Sequence, residues 1–431
     1  MMFEETPMLL QSQLTSRRHT ISKIGRASLA LAIFSILLVA GSEDLVAQTN
    51  AESGKGREVL YVVDSDMGIA GSHPRVLVLD PTTKKTLKIF ETGSHPDIAV
   101  SPDGRRLYLA YDYSEREGVE KGKLEVIDTV TGVVLKSLDA SNRWQTIGPA
   151  YDSGMAISPN GRWLFVYKYA GEPDGSVAYA TAIFDTVAEK FLPDLISLPN
   201  CGVPIMIPFS NNNGISVTCQ NTMDIRAIRL NNGGVPETRL PVGIPIPQPM
   251  RTGVIGTTLV SDDGRATVVM ANGRFSNLNL KSGNNRGKTG EISFSPPLTP
   301  AGWRPPVSGA QNVRSLGMRF IATRPVQEFG GKVFVTLSRS DRIGNAGDAI
   351  AVLDTTTLQQ IALFETPSYL FWNAVLGGGG QRLYLLSAEP DPKGPQTSGV
   401  IHVLNPADGS EVDKIVGIGR TPTILISSKL P

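Results

Sequence analysis

A four-residue turn, Ser-Pro-(Asp/Asn)-Gly, stands at Ser101–Gly104 and again in the same setting at Ser158–Gly161, and it narrows the possible folds more than any other feature. Proline presets the first turn position, and glycine accepts the positive φ that a hairpin exit needs. An apolar strand pattern precedes each turn and an aromatic-rich one follows it, Leu107–Tyr111 and Trp163–Tyr167. A third strand then ends at Asp128 or Asp185. The unit recurs with decay before Ala266–Met270, Val333–Leu337 and Leu383–Leu386, at a period of about fifty residues. Further third strands are expected to end at Asp80, Leu230, Leu280, Asp354 and Asn405.

Sets of four short strands at this period predict an all-β, seven-bladed β-propeller. After Asn405 come one outer strand, Val412–Val416, and one inner strand, Thr423–Ser427. The strand that should follow the inner one has its pattern at Val59–Val63. Closing the ring with strands from both termini would remove exposed edges. The expected organisation is a signal peptide over 1–47, a short linker over 48–57 and the propeller over 58–428.

The leader is read from its order. Arg17, Arg18, Lys23 and Arg26 precede an apolar stretch, Ala27–Ala40, which is followed by Glu43, Asp44 and the small-residue exit Leu45-Val46-Ala47. That stretch is shorter than the roughly 20 residues that cross a bilayer comfortably. Cleavage near Ala47 and a periplasmic location follow, with no membrane association afterwards; an uncleaved anchor is the alternative. With 41 Lys+Arg against 40 Asp+Glu, nothing invites a polyanion, so nucleic-acid binding is disfavoured.

Turns between strands one and two, and between three and four, read as tight and share one face. The opposite face takes the longer connections, at Asp112–Lys123, Ser295–Asn312, Ser338–Asp348 and Glu389–Gly399. Aromatic residues gather on the crossovers of that face: Trp144 and Tyr151, then Trp303, then Tyr369, Phe371 and Trp372, with Arg143 and Arg304 beside them. Trp, Tyr and Arg are the composition of an interface core, and these eight residues are the candidate partner surface. Packing between blades is the plainer role for any one of them.

Cys201 falls just before the first strand of the fourth unit and Cys219 at the end of its second. The two strands form a hairpin, so the register brings the pair together at the long-loop face and predicts a disulfide. No His-x-x-x-His pair or cysteine cluster suggests a metal, and no Gly-x-Ser-x-Gly elbow or paired carboxylates suggest a catalyst. His73-Pro74 and His95-Pro96 read as loop residues near a seam between blades.

The segment Leu198-Pro199-Asn200-Cys201 with Cys219, then Gly302-Trp303-Arg304-Pro305, then Val352-Leu353-Asp354 through Phe364, resembles the heavy subunit of methylamine dehydrogenase and related quinoprotein amine dehydrogenases. Arg143-Trp144-Gln145-Thr146 with Met155–Gly161 also fits. The resemblance implies a periplasmic propeller holding a small Cys-rich light subunit, with a heterotetramer as the assembly. The light subunit would carry tryptophan tryptophylquinone and oxidise primary amines, passing electrons to a cupredoxin or cytochrome. This chain would then supply no catalytic residue and no cofactor, and its first long loop, with Asp66, Met67 and His73, would wall the substrate channel. The family's Phe in that loop has no counterpart in Asp64–His73, so the resemblance does not specify the amine. A free-standing exported binding propeller is the competing reading, since the fold alone implies no activity.

Overall fold

The computed structural model describes residues 17–18, 56–65, 73–116, 119–139, 145–146, 154–171, 177–201, 204–209, 212–219, 222, 224–231, 234–238, 241, 243–245, 255–261, 265–270, 274–279, 289–291, 319–320, 332–337, 349–354, 360–366, 369, 371–390 and 397–431. Among the described residues, regular structure is strand apart from one short turn of 3-10 helix at Gly378–Gly380.

These strands form seven antiparallel sheets, each with a core of four. The first sheet joins both ends of the chain: Pro422–Lys429 pairs with Glu58–Asp64, followed by Arg75–Asp80 and Lys85–Glu91. The second runs Ser94–Val100, Arg106–Arg116, Val119–Asp128, Val134–Asp139. The third runs Met155–Ile157, Trp163–Gly171, Val177–Asp185, Lys190–Phe191, with Gln145–Thr146 and Ile196–Ser197 attached at its margins. The fourth is Pro204–Pro208, Gly214–Cys219, Asp224–Arg229, Gly243–Pro245. The fifth is Ile255–Ser261, Arg265–Met270, Arg274–Asn279, Thr289–Glu291, with Arg17–Arg18 lying parallel to its first strand. The sixth is Arg319–Phe320, Lys332–Leu337, Ala349–Asp354, Gln360–Glu365. The seventh is Phe371–Gly377, Arg382–Pro390, Thr397–Leu404, Glu411–Val416.

Side-chain chemistry at the turns explains why the strands stop where they do. In the first repeat, Gly104 N–H donates to Ser101 C=O at 2.8 Å, and Ser101 Oγ accepts Arg106 N–H at 2.9 Å. The second repeat matches it, with Gly161 to Ser158 at 2.8 Å and Trp163 N–H to Ser158 Oγ at 2.9 Å. In four of the seven sheets the residue at or just after the end of the third strand caps the next turn with its side chain: Asp80 accepts Thr82 N–H, Asp128 accepts Thr131 N–H, Asp185 accepts Val187 N–H, and Asn405 accepts Ala407 N–H. The two kinds of turn lie together, because Thr129 Oγ1 donates to Gly104 C=O at 2.6 Å and Thr186 Oγ1 to Gly161 C=O at 2.7 Å.

The core lies between sheets, since successive side chains of a strand point to opposite faces. Val59, Tyr61 and Val63 pack toward Ile98, Leu107 and Leu109 of the second sheet. Their alternates Leu60 and Val62 pack toward Tyr384, Leu386 and Ile401 of the seventh. The second sheet meets the third through Tyr108, Ala110, Leu164 and Val166, and the third meets the fourth through Phe165, Tyr167, Ile215 and Val217.

Three sequence expectations need correction. Asp112–Lys123 is not a loose connection: the ladder continues through Tyr113↔Lys121 to Arg116↔Val119. A backbone ladder needs no apolar side chains, and Lys123 Nζ ties the base of this hairpin together, 5.8 Å from the Tyr111 ring and 5.6 Å from the Tyr113 ring. Glu389–Gly399 is likewise shortened, with strand pairing out to Pro390↔Thr397. Phe371 and Trp372 begin a strand instead of lying on a crossover. The connections Ser295–Asn312 and Ser338–Asp348 lie outside the described residues.

Candidate functional site

The disulfide is formed. Cys201 and Cys219 are bonded across a Cα–Cα distance of 4.9 Å, beside the pair Pro204↔Cys219 that closes the inner hairpin of the fourth sheet. Both residues are fully buried in the third–fourth seam. The Tyr167 hydroxyl donates to Cys201 C=O and its ring stacks on Tyr179, while Arg226 Nη2 donates to Pro199 C=O at 2.9 Å. The bond therefore anchors the segment that leads into the fourth sheet against its neighbour.

In the first two sheets three aspartates, Asp64, Asp97 and Asp112, are buried. Asp64 accepts Arg75 Nε at 3.2 Å and the backbone N–H of Arg420 and Thr421 at 3.2 and 3.0 Å. Gly419 passes so close that a Cβ there would come within 2.2 Å of the Asp64 carboxylate. Asp97 Oδ1 accepts Ile98 N–H at 2.7 Å. Asp112 Oδ2 lies 3.5 Å from Nδ1 of His95. His73 is exposed two residues before the strand Arg75–Asp80, whereas Asp66 and Met67 lie outside the described residues.

A polar chain that the sequence did not suggest sits in the seventh sheet. Ser387 Oγ is 3.0 Å from His402 Nε2, and His402 Nδ1 is 3.0 Å from Glu411 Oε2. The Tyr369 ring stacks on the imidazole, 3.5 Å between centroids and 2° from parallel. Ser387 and His402 are both buried while the Glu411 side chain is 41% exposed, so this arrangement of hydroxyl, imidazole and carboxylate runs from the sheet interior to its outer edge.

These contacts revise the candidate partner surface. Phe371 is fully buried, because it opens a strand paired at Ser387, and it cannot meet a partner in this fold. Tyr369 is half-buried and engaged by His402. Arg143, Trp144, Tyr151, Trp303 and Arg304 lie outside the described residues, as does the side chain of Trp372. Lys168 was also missed: only 3% exposed, its Nζ lies 4.4 Å from the centre of the Phe191 ring. Burial pushes its pKa down to about 8. A lone lysine inside the strand Trp163–Gly171 gives no periodic signal that would have marked it. Among the described residues, no group of three or more His, Cys, Asp or Glu side chains is placed to hold a metal ion.

No family model and no curated protein matches the chain. Solved structures do. The periplasmic gluconolactonase PpgL of Pseudomonas aeruginosa is similar over 87% of this chain and 100% of its own, at 14% identity and a TM-score of 0.54. A functionally unknown protein from Desulfotomaculum acetoxidans is similar over 86% of this chain and 98% of its own, at 12% identity and a TM-score of 0.53. The β-propeller domain of Cps50 (Swd1) from Myceliophteria thermophila is similar over 78% and 90%, at 11% identity and a TM-score of 0.51. At such identities the likeness is one of fold, and the fold is an all-β propeller.

Proposed function

We propose that the chain is an exported, periplasmic propeller of seven blades, closed by pairing of Glu58–Asp64 with Pro422–Lys429, and that it is the non-catalytic heavy subunit of an amine dehydrogenase-like complex. The observation that carries this reading is the Cys201–Cys219 bond, which fixes the Leu198–Cys201 segment of the family resemblance at the long-loop end of the fourth sheet. The light subunit would be small and Cys-rich and would carry the tryptophan tryptophylquinone on which primary amines are oxidised. Its contact is expected at Arg143, Trp144, Tyr151, Trp303, Arg304 and Trp372. A cupredoxin or cytochrome would take the electrons, and two copies of each subunit would make a heterotetramer.

Co-expression with a neighbouring exported, Cys-rich reading frame tests the proposal. The two chains should co-purify and reduce a dye in an amine-dependent way, with quinone absorbance in the complex and none in the isolated heavy chain. Trp303→Ala should weaken assembly by about 2 kcal/mol, roughly thirtyfold. Amine oxidation by the purified single chain would overturn the scaffold role.

A second reading is favoured by one observation. Tyr369 and Phe371, assigned to the partner face from sequence, are occupied within the fold. A free-standing propeller that binds its ligand without a light subunit accounts for that equally well. A chain that stays monomeric beside every exported neighbour would select it.

A further inference from the structure

Turn residues are mostly small or polar, yet on three adjoining sheets the turn after the third strand exposes valine. Val130 and Val133 lie on either side of Thr131-Gly132 in the second sheet, Val187 stands two residues past Asp185 in the third, and Val235 ends the corresponding turn of the fourth. Val187 is 78% exposed and the other three are 48–57% exposed. At the place of Val130 and Val187, the first and seventh sheets present Thr82 and Ala407. A single exposed valine needs no explanation, but a group of them on one sector of a molecule does. Contacts between the turns make the group contiguous. A Cβ at Gly161 would meet Pro102 Cδ at 2.9 Å, and one at Gly234 would meet the Trp163 ring at 2.0 Å. Side-chain caps hold the tips in place: Asp128 accepts Thr131 N–H at 2.8 Å, Asp185 accepts Val187 N–H at 2.9 Å, and Asn231 accepts Val235 N–H at 3.0 Å.

The charge around these valines is positive. The carboxylates there are already paired, Asp128 with Arg106 at 2.9 Å, Asp185 with Arg162 at 3.8 Å and Glu189 with Lys136 at 3.8 Å. Asp103 accepts Ser101 Oγ and Arg105 N–H within its own turn, and its charge is offset by that of Arg105. Lys85 and Lys190 each begin an outer strand beside these turns and have no carboxylate partner among the described residues. The Lys88 ammonium donates to Thr129 C=O at 3.1 Å and to Val130 C=O, so a third uncompensated cation lies against the Val130 turn. Apolar side chains set among unpaired lysines fit an anionic bilayer, whose acyl boundary takes the valines while its phosphates meet the cations. A nucleic acid would use the lysines and leave the valines in water, and a second copy of the chain would bring like charges together. We propose that the tight-turn face of the second to fourth sheets docks the exported chain on an anionic phospholipid surface. This sector lies at the end opposite the long connections, so docking leaves the expected partner face free and holds under either functional reading. It reverses the expectation of no membrane association after cleavage.

The test sediments the full exported chain with vesicles of phosphatidylethanolamine and phosphatidylglycerol, or of phosphatidylethanolamine and phosphatidylcholine. The chain should pellet with the anionic vesicles and not with the zwitterionic ones, and added salt should release it. Lys85→Gln and Lys190→Gln should each weaken partition about fivefold. Val130→Ser combined with Val187→Ser should weaken it about tenfold, with the melting temperature unchanged because both positions are exposed. A bimane attached at Val187→Cys should shift to the blue on anionic vesicles, whereas one at Val412→Cys, exposed on the outer strand of the seventh sheet, should not. Failure to pellet, equal pelleting with both lipids, or a blue shift at Val412→Cys alone would overturn the docking surface. Soluble glycerol phosphate should leave the chain on the vesicles; release by it would make a free phosphate the ligand and overturn docking. Duplex DNA binding without vesicle binding would assign the lysines to a polyanion, and a dimer that the valine variants dissolve would assign the valines to a second copy, either of which refutes the proposal.

Discussion

Substituting Ile424 and Leu425 by alanine, one at a time, tests whether the terminal strand is structurally part of the ring. The strand Pro422–Lys429 presents opposite faces to two seams: Ile424 packs with Val59, Ile98 and Leu107, and Leu425 with Val375, Tyr384 and Leu386. Ile424 is fully buried and Leu425 nearly so, which is the environment of a mid-chain core residue. Large-to-alanine changes in such places cost about 2–5 kcal/mol each. Removing the whole strand by ending the chain at Gly419 forfeits at least the two together, roughly 4–10 kcal/mol, which is comparable to the entire stability of a typical domain. Urea unfolding with Leu386→Ala as a mid-chain reference gives the comparison, because Leu386 shares the seam of Leu425. If Leu386→Ala shifts the midpoint strongly while both terminal variants cost less than about 0.5 kcal/mol, the terminal strand is peripheral and closure through it is refuted. A chain ending at Gly419 that melts cooperatively at the parent temperature would refute it as well.

Two further predictions concern the third and fourth sheets. Intact mass under alkylation should gain two thiol labels only after reduction of Cys201–Cys219, and Cys201→Ser with Cys219→Ser should cost roughly 3 kcal/mol by loop entropy; labelling of the denatured but unreduced chain would remove the bond from the argument. For Lys168, the folded state titrates at about 8, below the ordinary lysine value of about 10.4, so between those limits the unfolded chain binds the extra proton. Stability from this group should therefore rise with pH across that window, by up to roughly 3 kcal/mol, and Lys168→Met should flatten the profile; a wild-type profile already flat from about pH 8 to 10.5 would contradict it.

Strand ends were legible because local chemistry sets them. The expected ends at Asp80, Asp128, Asp185 and Asp354 are the observed ends, and Leu230, Leu280 and Asn405 are one residue beyond Arg229, Asn279 and Leu404. Capping by the side chain of Asp80, Asp128, Asp185 or Asn405 is a contact within three residues, so the sequence alone carries it. The disulfide was legible for a related reason, since one hairpin register decides whether Cys201 reaches Cys219. Loop lengths were less so. Five of the seven residues from Glu115 to Lys121 are charged, and charge hid a ladder that depends on backbone pairing alone.

Candidate sites were harder to read because each is made by register between strands. His95 reaches Asp112 only through a bulge, and a bulge is a relation between Ser94–Val100 and Arg106–Arg116 that neither segment states by itself. His402 makes the same point more sharply. It lies between Ile401 and Val403, both packed toward the first sheet, so its own side chain must take the other face. There it could have been a buried polar group without partners, which costs a few kcal/mol. Ser387 reaches it because Leu385 is the residue directly opposite and Ser387 is the diagonal neighbour. Glu411 reaches it because the register of the outer strand shifts between Val403 and Leu404. A one-residue slip at either ladder would turn Ser387 or Glu411 to the wrong face and leave the imidazole unsatisfied. The network thus penalises misregistered pairing of the seventh sheet, and that is a physical reason for polar residues to occupy a seam where leucine and valine would pack as well.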